Sequence, residues 1–71
     1  MDETDSFEPG THIFTGVVRA WGPMAGELVT DSGLSILIST QGQPAVPPGS
    51  RVTVTALRYR PRYHVTKVSP A

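Results

Sequence analysis

The residues best suited to do chemistry lie between Arg58 and Lys67, in the stretch RYRPRYHVTK. Three arginines, two tyrosines, a histidine and a lysine surround Pro61. Arginine presents a planar fork of donors that matches phosphate geometry and also stacks on rings. Proteins that hold single strands combine such cations with aromatic planes, each stacked base contributing about 1–3 kcal/mol. Strand alternation puts Arg58 and Arg60 on one face and Tyr59 on the other, with Tyr63 and His64 opening a return strand after Pro61. Arg19 and Trp21 repeat the pairing of cation and ring earlier in the chain. The expected site therefore draws charge from Arg19, Arg58, Arg60, Arg62 and Lys67, and stacking from Trp21, Tyr59 and Tyr63. The same residue types also protect edges and pack across strands in small hairpins. A purely structural role for these rings stands beside the binding role.

Other chemistries find little support. A nucleophile needs an adjacent base and a metal needs clustered ligands. His12 and His64 lie far apart in sequence, no HExxH or paired-carboxylate arrangement occurs, and the chain has no cysteine. Both histidines read as plain strand or surface residues. The glycines between Gly22 and Gly26 lack the lysine and hydroxyl residue of a phosphate-binding loop. The expectation is a non-enzymatic protein without cofactor, metal or small-molecule substrate.

Seventy-one residues make one small domain. Such a chain buries only about 60% of its unfolded surface, which leaves no room for a core and a deep cavity together. No apolar run approaches the ~20 residues of a membrane span, and no basic-then-apolar start suggests a leader. The sequence reads as soluble and cytoplasmic. The net charge is zero, but it is divided. Asp2, Glu3, Asp5 and Glu8 precede any lysine or arginine, whereas Glu27 and Asp31 alone oppose Arg19, Arg51, Arg58, Arg60, Arg62 and Lys67. Residues 1–10, polar and ending in Pro-Gly, read as a disordered acidic tail; residues 11–71 read as the folded domain.

The elements that must position the cations are strands. HIFTGVVRAW is rich in β-branched and aromatic residues, with Ile13, Phe14, Val17 and Val18 expected to pack. Gly16 inside it predicts a bulge or a sharp coil. GPMAG is a loop, GELVT a second strand, and TDSG a tight turn in which Gly33 takes positive φ. LSILIST is a third strand. QGQPAVPPGS, with three prolines, excludes helix and central strand. SRVTVTALRYR alternates, with Val52, Val54 and Ala56 on one face. YHVTKVS closes the chain, with Tyr63, Val65 and Lys67 expected on one side and His64, Thr66 and Val68 on the other. No helical periodicity of 3.6 occurs. Five short strands, the first able to coil, predict an all-β fold. The expected form is a small five-stranded antiparallel barrel, because closure removes exposed edges. An OB-fold and an SH3-like barrel both fit the strand count.

The segments TGVVRAW, GELVTDSG, ILIS, PPGSRVTV and YHVTKVSP together resemble the cold-shock domain, an OB-fold family, over roughly Phe14 to Val68. Gly16, Val18 and Arg19 fit its opening pattern, with arginine for lysine; Gly49, Val52 and Val54 fit a later one; Asp31 and Gly33 fit its aspartate–glycine turn. The family's two aromatic motifs would fall on MAGELV and ILIS, which hold no aromatic residue, and Ala20 stands where a stacking tryptophan would, with Trp21 beside it. The resemblance implies single-stranded DNA or RNA as partner, bound weakly and with little sequence preference, with stacking moved from the central strands to the flank and hairpin. The alternative is a protein-interaction module on the same barrel, with Leu37, Trp21 and Met24 as an apolar patch.

Overall fold

In the computed structural model, which describes residues 10–59 and 62–71, every regular element is a strand. They are β1 (Thr11–Trp21), β2 (Ala25–Thr30), β3 (Ser35–Ser39), β4 (Arg51–Tyr59) and β5 (Arg62–Pro70). Residues 1–9 of the expected tail (1–10), Arg60 and Pro61, and the side chain of Tyr59 lie outside the described residues. No helix among the described residues is long and apolar enough to cross a membrane.

Each strand has two neighbours. The order β1-β2-β3-β5-β4 returns to β1, so the sheet closes on itself. Four pairings are antiparallel and the fifth, β3 with β5, is parallel. The parallel pair corrects the expectation of an all-antiparallel arrangement, and strand direction explains it. β2 reverses β1 and β3 reverses β2, so β3 runs with β1. β4 crosses over to pair antiparallel with β1. The strand that turns back from β4 must then run with β1 and β3, and it meets β3 at Ile38↔Tyr63 and Ser39↔His64. Following aligned residues once round, from Trp21 through Gly26, Ile38, Tyr63 and Arg58, leads to Gly10 rather than back to Trp21. That large stagger tilts the strands strongly, which closing a sheet requires.

The core is built by period-two alternation. Phe14 and Val18 of β1, Leu28 of β2, Ile36 and Ile38 of β3, Val52, Val54 and Ala56 of β4, and Tyr63 and Val65 of β5 form one buried cluster. Ile13 and Val17, expected to pack, point outward instead, Ile13 being 64% exposed. Phe14, Gly16 and Val18 share one parity and take the interior, so their neighbours cannot.

Gly16 marks a close approach rather than a bulge. A Cβ there would lie 2.1 Å from the Val29 carbonyl oxygen and 2.6 Å from the Thr30 Cα. The register shift in β1 comes later, between Val18 and Ala20. A second shift, between Thr55 and Ala56, reverses the parity of β5 after Val65. Lys67 therefore turns to solvent and Val68 packs against the core, the opposite of strict alternation. The turn after β2 forms as expected: Gly33 has φ +92°, and its N–H donates to the Thr30 carbonyl at 2.8 Å.

Candidate functional site

The expected site residues that the structure describes do not form one surface. Val52, Val54 and Ala56 face inward, and the same alternation carries Arg58 to the interior side at the end of β4, where it is half-buried. Tyr63 lies directly across from it and is 9% exposed. An Arg58 guanidinium nitrogen donates to the Tyr63 hydroxyl at 2.9 Å, and its central carbon lies 4.9 Å from the ring centroid. Phe14 meets the Tyr63 ring edge-on at 4.9 Å, and His12 meets it edge-on at 5.3 Å while stacking near Phe14. These four side chains seal one end of the core. Tyr63 is thus a core residue and not a stacking platform, because a ring only 9% exposed, packed against Phe14 and His12 and lying under Arg58, has too little surface in water to stack on a base. His12, read as a plain strand residue, belongs to this seal.

The remaining cations are placed differently. Arg62, His64 and Lys67 are exposed along β5. Arg19 is exposed on the shifted part of β1, with its guanidinium 3.9 Å from Glu27, whose carboxylate also accepts from the Ser35 hydroxyl. Arg51 was not among the expected ligand contacts, and it is taken by Asp31. The pair makes contacts of 2.5 and 3.4 Å across half-exposed side chains. The hydrogen bond and charge of Asp31 raise the Arg51 guanidinium above its ordinary value.

Trp21 is the ring that opens onto a cleft. It is half-buried, packs against the core, and lines a space of about 260 Å³ with Gly22, Pro23, Gln43 and Ala45. Three hydrogen-bonded ties build this cleft from segments distant in sequence. The fully buried Thr40 donates its hydroxyl to the Gly22 carbonyl. The Thr40 N–H donates to the Met24 carbonyl at 3.2 Å. The Gln43 side-chain amide donates to the Val65 carbonyl at 3.2 Å, tying the loop to β5. Gly26, opposite Trp21, leaves no room for a side chain, since a Cβ would sit 2.6 Å from the Ala20 carbonyl oxygen. Thr40, Gln43 and Ala45 were missed as site residues because a proline-rich loop carries no periodic signal.

A second cleft, about 310 Å³, lies between Val46 and the ends of β4 and β5, at Val52, Val68 and Pro70. Ile13, Val17, Met24 and Leu37 are large apolar side chains exposed elsewhere. Among the described residues, no group of three or more histidine, aspartate or glutamate side chains gathers in a way that could hold a metal ion. Compared with protein-family models, curated proteins and solved structures, the chain gives no match to any of the three.

Proposed function

We propose that this chain is a non-enzymatic, OB-type β-barrel that binds single-stranded nucleic acid weakly and with little sequence preference, in the manner of a divergent cold-shock domain. The strand order supports the barrel type, since a plain meander would set β5 beside β1, whereas here β5 lies between β3 and β4, as a Greek-key barrel requires. OB-folds use the face of the second and third strands and the loop between the first and second. The observation that carries the reading is Trp21 at that loop, half-buried beside an open cleft. The cleft, about 260 Å³, is slightly smaller than the ~300 Å³ at the low end of drug-sized pockets. Arg19 stands two residues before Trp21. Lys67, exposed two residues after Val65, whose carbonyl the loop is tied to, adds a second cation to this reading. Arg62 and Lys67 then guide the backbone, and Arg58 and Tyr63 hold the barrel end without touching ligand.

The test is fluorescence anisotropy of a labelled oligothymidine across a salt series. Three contacted phosphates give a slope of roughly −2 in log affinity against log salt. Trp21→Ala loses one stack, an affinity loss of about 5- to 150-fold. The reading falls if the folded Trp21→Ala protein binds as tightly as wild type, or if wild type shows no binding at low salt.

A second reading rests on Met24 and Leu37, which are 59% and 63% exposed. They favour a protein-interaction surface on the β2–β3 side. Its affinity would hardly respond to salt, and Leu37→Ser would weaken it while leaving oligonucleotide binding intact.

A further inference from the structure

We infer that the exposed basic stripe of β5, comprising Arg62, His64 and Lys67, is a docking surface for the acidic segment of the same chain, residues 2–8. The docking itself stands apart from the function proposed above; its consequence for nucleic acid rests on that reading.

Charge bookkeeping within the folded part motivates the inference. Its two carboxylates are already engaged: Glu27 with Arg19 and Ser35, Asp31 with Arg51. Arg58 is turned onto Tyr63. Positive charge on Arg62 and Lys67 therefore has no acidic residue assigned to it within residues 10–59 or 62–71. Asp2, Glu3, Asp5 and Glu8 supply four negative charges in one short stretch, without an intervening lysine or arginine.

Geometry brings the two together. The acidic segment joins the fold at Gly10, whose carbonyl accepts from the Arg58 N–H at 2.9 Å. Gly10 thus stands beside the C-terminal end of β4, next to the start of β5. Gly10 has φ +140°, a conformation that side chains oppose. From Gly10 to the Arg62 end of the stripe is two strand spacings, about 10 Å, and Lys67, paired with Thr55, lies roughly 10 Å further along. Seven extended residues span up to about 25 Å, so the acids reach Arg62 and Lys67 with length to spare. A tether this short sets an effective concentration in the millimolar range, enough for contacts that would be negligible between separate molecules. A carboxylate segment lying on the stripe occupies the cations that a phosphate backbone would use.

The experiment compares wild type with a full-length variant carrying Asp2→Asn, Glu3→Gln, Asp5→Asn and Glu8→Gln. Amide shifts from NMR are read at about 10 mM and about 300 mM salt, because screening lengths fall from ~30 Å to under 10 Å across that range. Docking predicts shift differences at Arg62, His64 and Lys67 at low salt that vanish at high salt and do not change on tenfold dilution. Shifts that grow with protein concentration would assign the stripe to the acidic segment of a second copy and overturn the intrachain contact. Absence of any difference at those three residues overturns docking altogether. In parallel, the variant should bind oligothymidine roughly 3- to 10-fold more tightly at low salt, since a site masked for most of the time loses affinity in proportion. Low-salt shifts with no oligonucleotide binding by either protein would leave docking standing and remove the nucleic-acid reading. Equal binding by both, without shifts, would do the reverse.

Discussion

Arg58 separates a structural from a ligand-binding account of the C-terminal cluster, and its substitution can be worked through quantitatively. Arg58→Met keeps the aliphatic stem and removes the guanidinium. The loss includes two contributions from Tyr63. The hydrogen bond to the Tyr63 hydroxyl at 2.9 Å contributes about 0.5–1.5 kcal/mol. The guanidinium over the Tyr63 ring at 4.9 Å contributes about 0.5–2 kcal/mol, towards the upper end because both groups are largely out of water. The sum is about 2 kcal/mol. In a domain of this size each kcal/mol shifts Tm by about 4–8 °C, so the midpoint should fall by roughly 8–16 °C. Tyr63→Phe removes only the hydroxyl and should cost about 1 kcal/mol. The double variant should be less destabilised than the sum, because the hydrogen bond can be lost only once. Urea denaturation followed by the single tryptophan measures all three. Oligonucleotide affinity of folded Arg58→Met should stay within twofold of wild type. An unchanged Tm together with a large loss of oligonucleotide affinity would show that Arg58 reaches ligand, and the seal described above would be wrong.

Two further perturbations probe the frame and the cleft. Gly16→Ala should be severe, at about 3 kcal/mol or more, because a Cβ 2.1 Å from the Val29 carbonyl oxygen forces two backbones apart; near-wild-type urea stability would refute the close approach. Thr40→Val removes the hydroxyl that donates to the Gly22 carbonyl and leaves a part-buried acceptor without that donor, costing about 1 kcal/mol. Its diagnostic readout is Trp21: emission should shift to the red as the cleft loosens, and an unshifted spectrum would mean that Thr40 does not hold that loop.

Much of the frame was legible in the sequence because it depends on local alternation and on backbone freedom. Val52, Val54 and Ala56 read as one face of a strand, and that face lies in the core. Gly33 read as a positive-φ turn residue and is one. The proline-rich stretch read as a connection, and no strand or helix forms between Ser39 and Arg51. Five strands and no helix follow from hydrophobic period alone.

The site was far less legible. In β5, alternation from Tyr63 predicts Lys67 inward, but the register shift opposite Thr55 and Ala56 reverses the pattern; which residue bulges depends on the partner strand. In β1, Ile13 and Val17 are as apolar as Phe14 and Val18, and only closure of the sheet decided which pair faced the interior. The alternation that sent Val52, Val54 and Ala56 inward also carries Arg58 there, a consequence hidden because an arginine reads as a surface residue. Its burial becomes tolerable only once Tyr63 arrives from the next strand with a ring face and a hydroxyl. The Trp21 cleft combines residues 21–23 with 40–45 and is fastened to Val65, three segments that sequence spacing cannot bring together.

The chain by itself therefore determined its strands, its turns and the separation of its charges, all of which arise from interactions within a few residues. The fold decided which cations meet water, which ring keeps an open side, and that β5 runs parallel to β3. Those outcomes depend on pairing between strands far apart in the chain, where one bulge or one closing contact reassigns every side chain that follows.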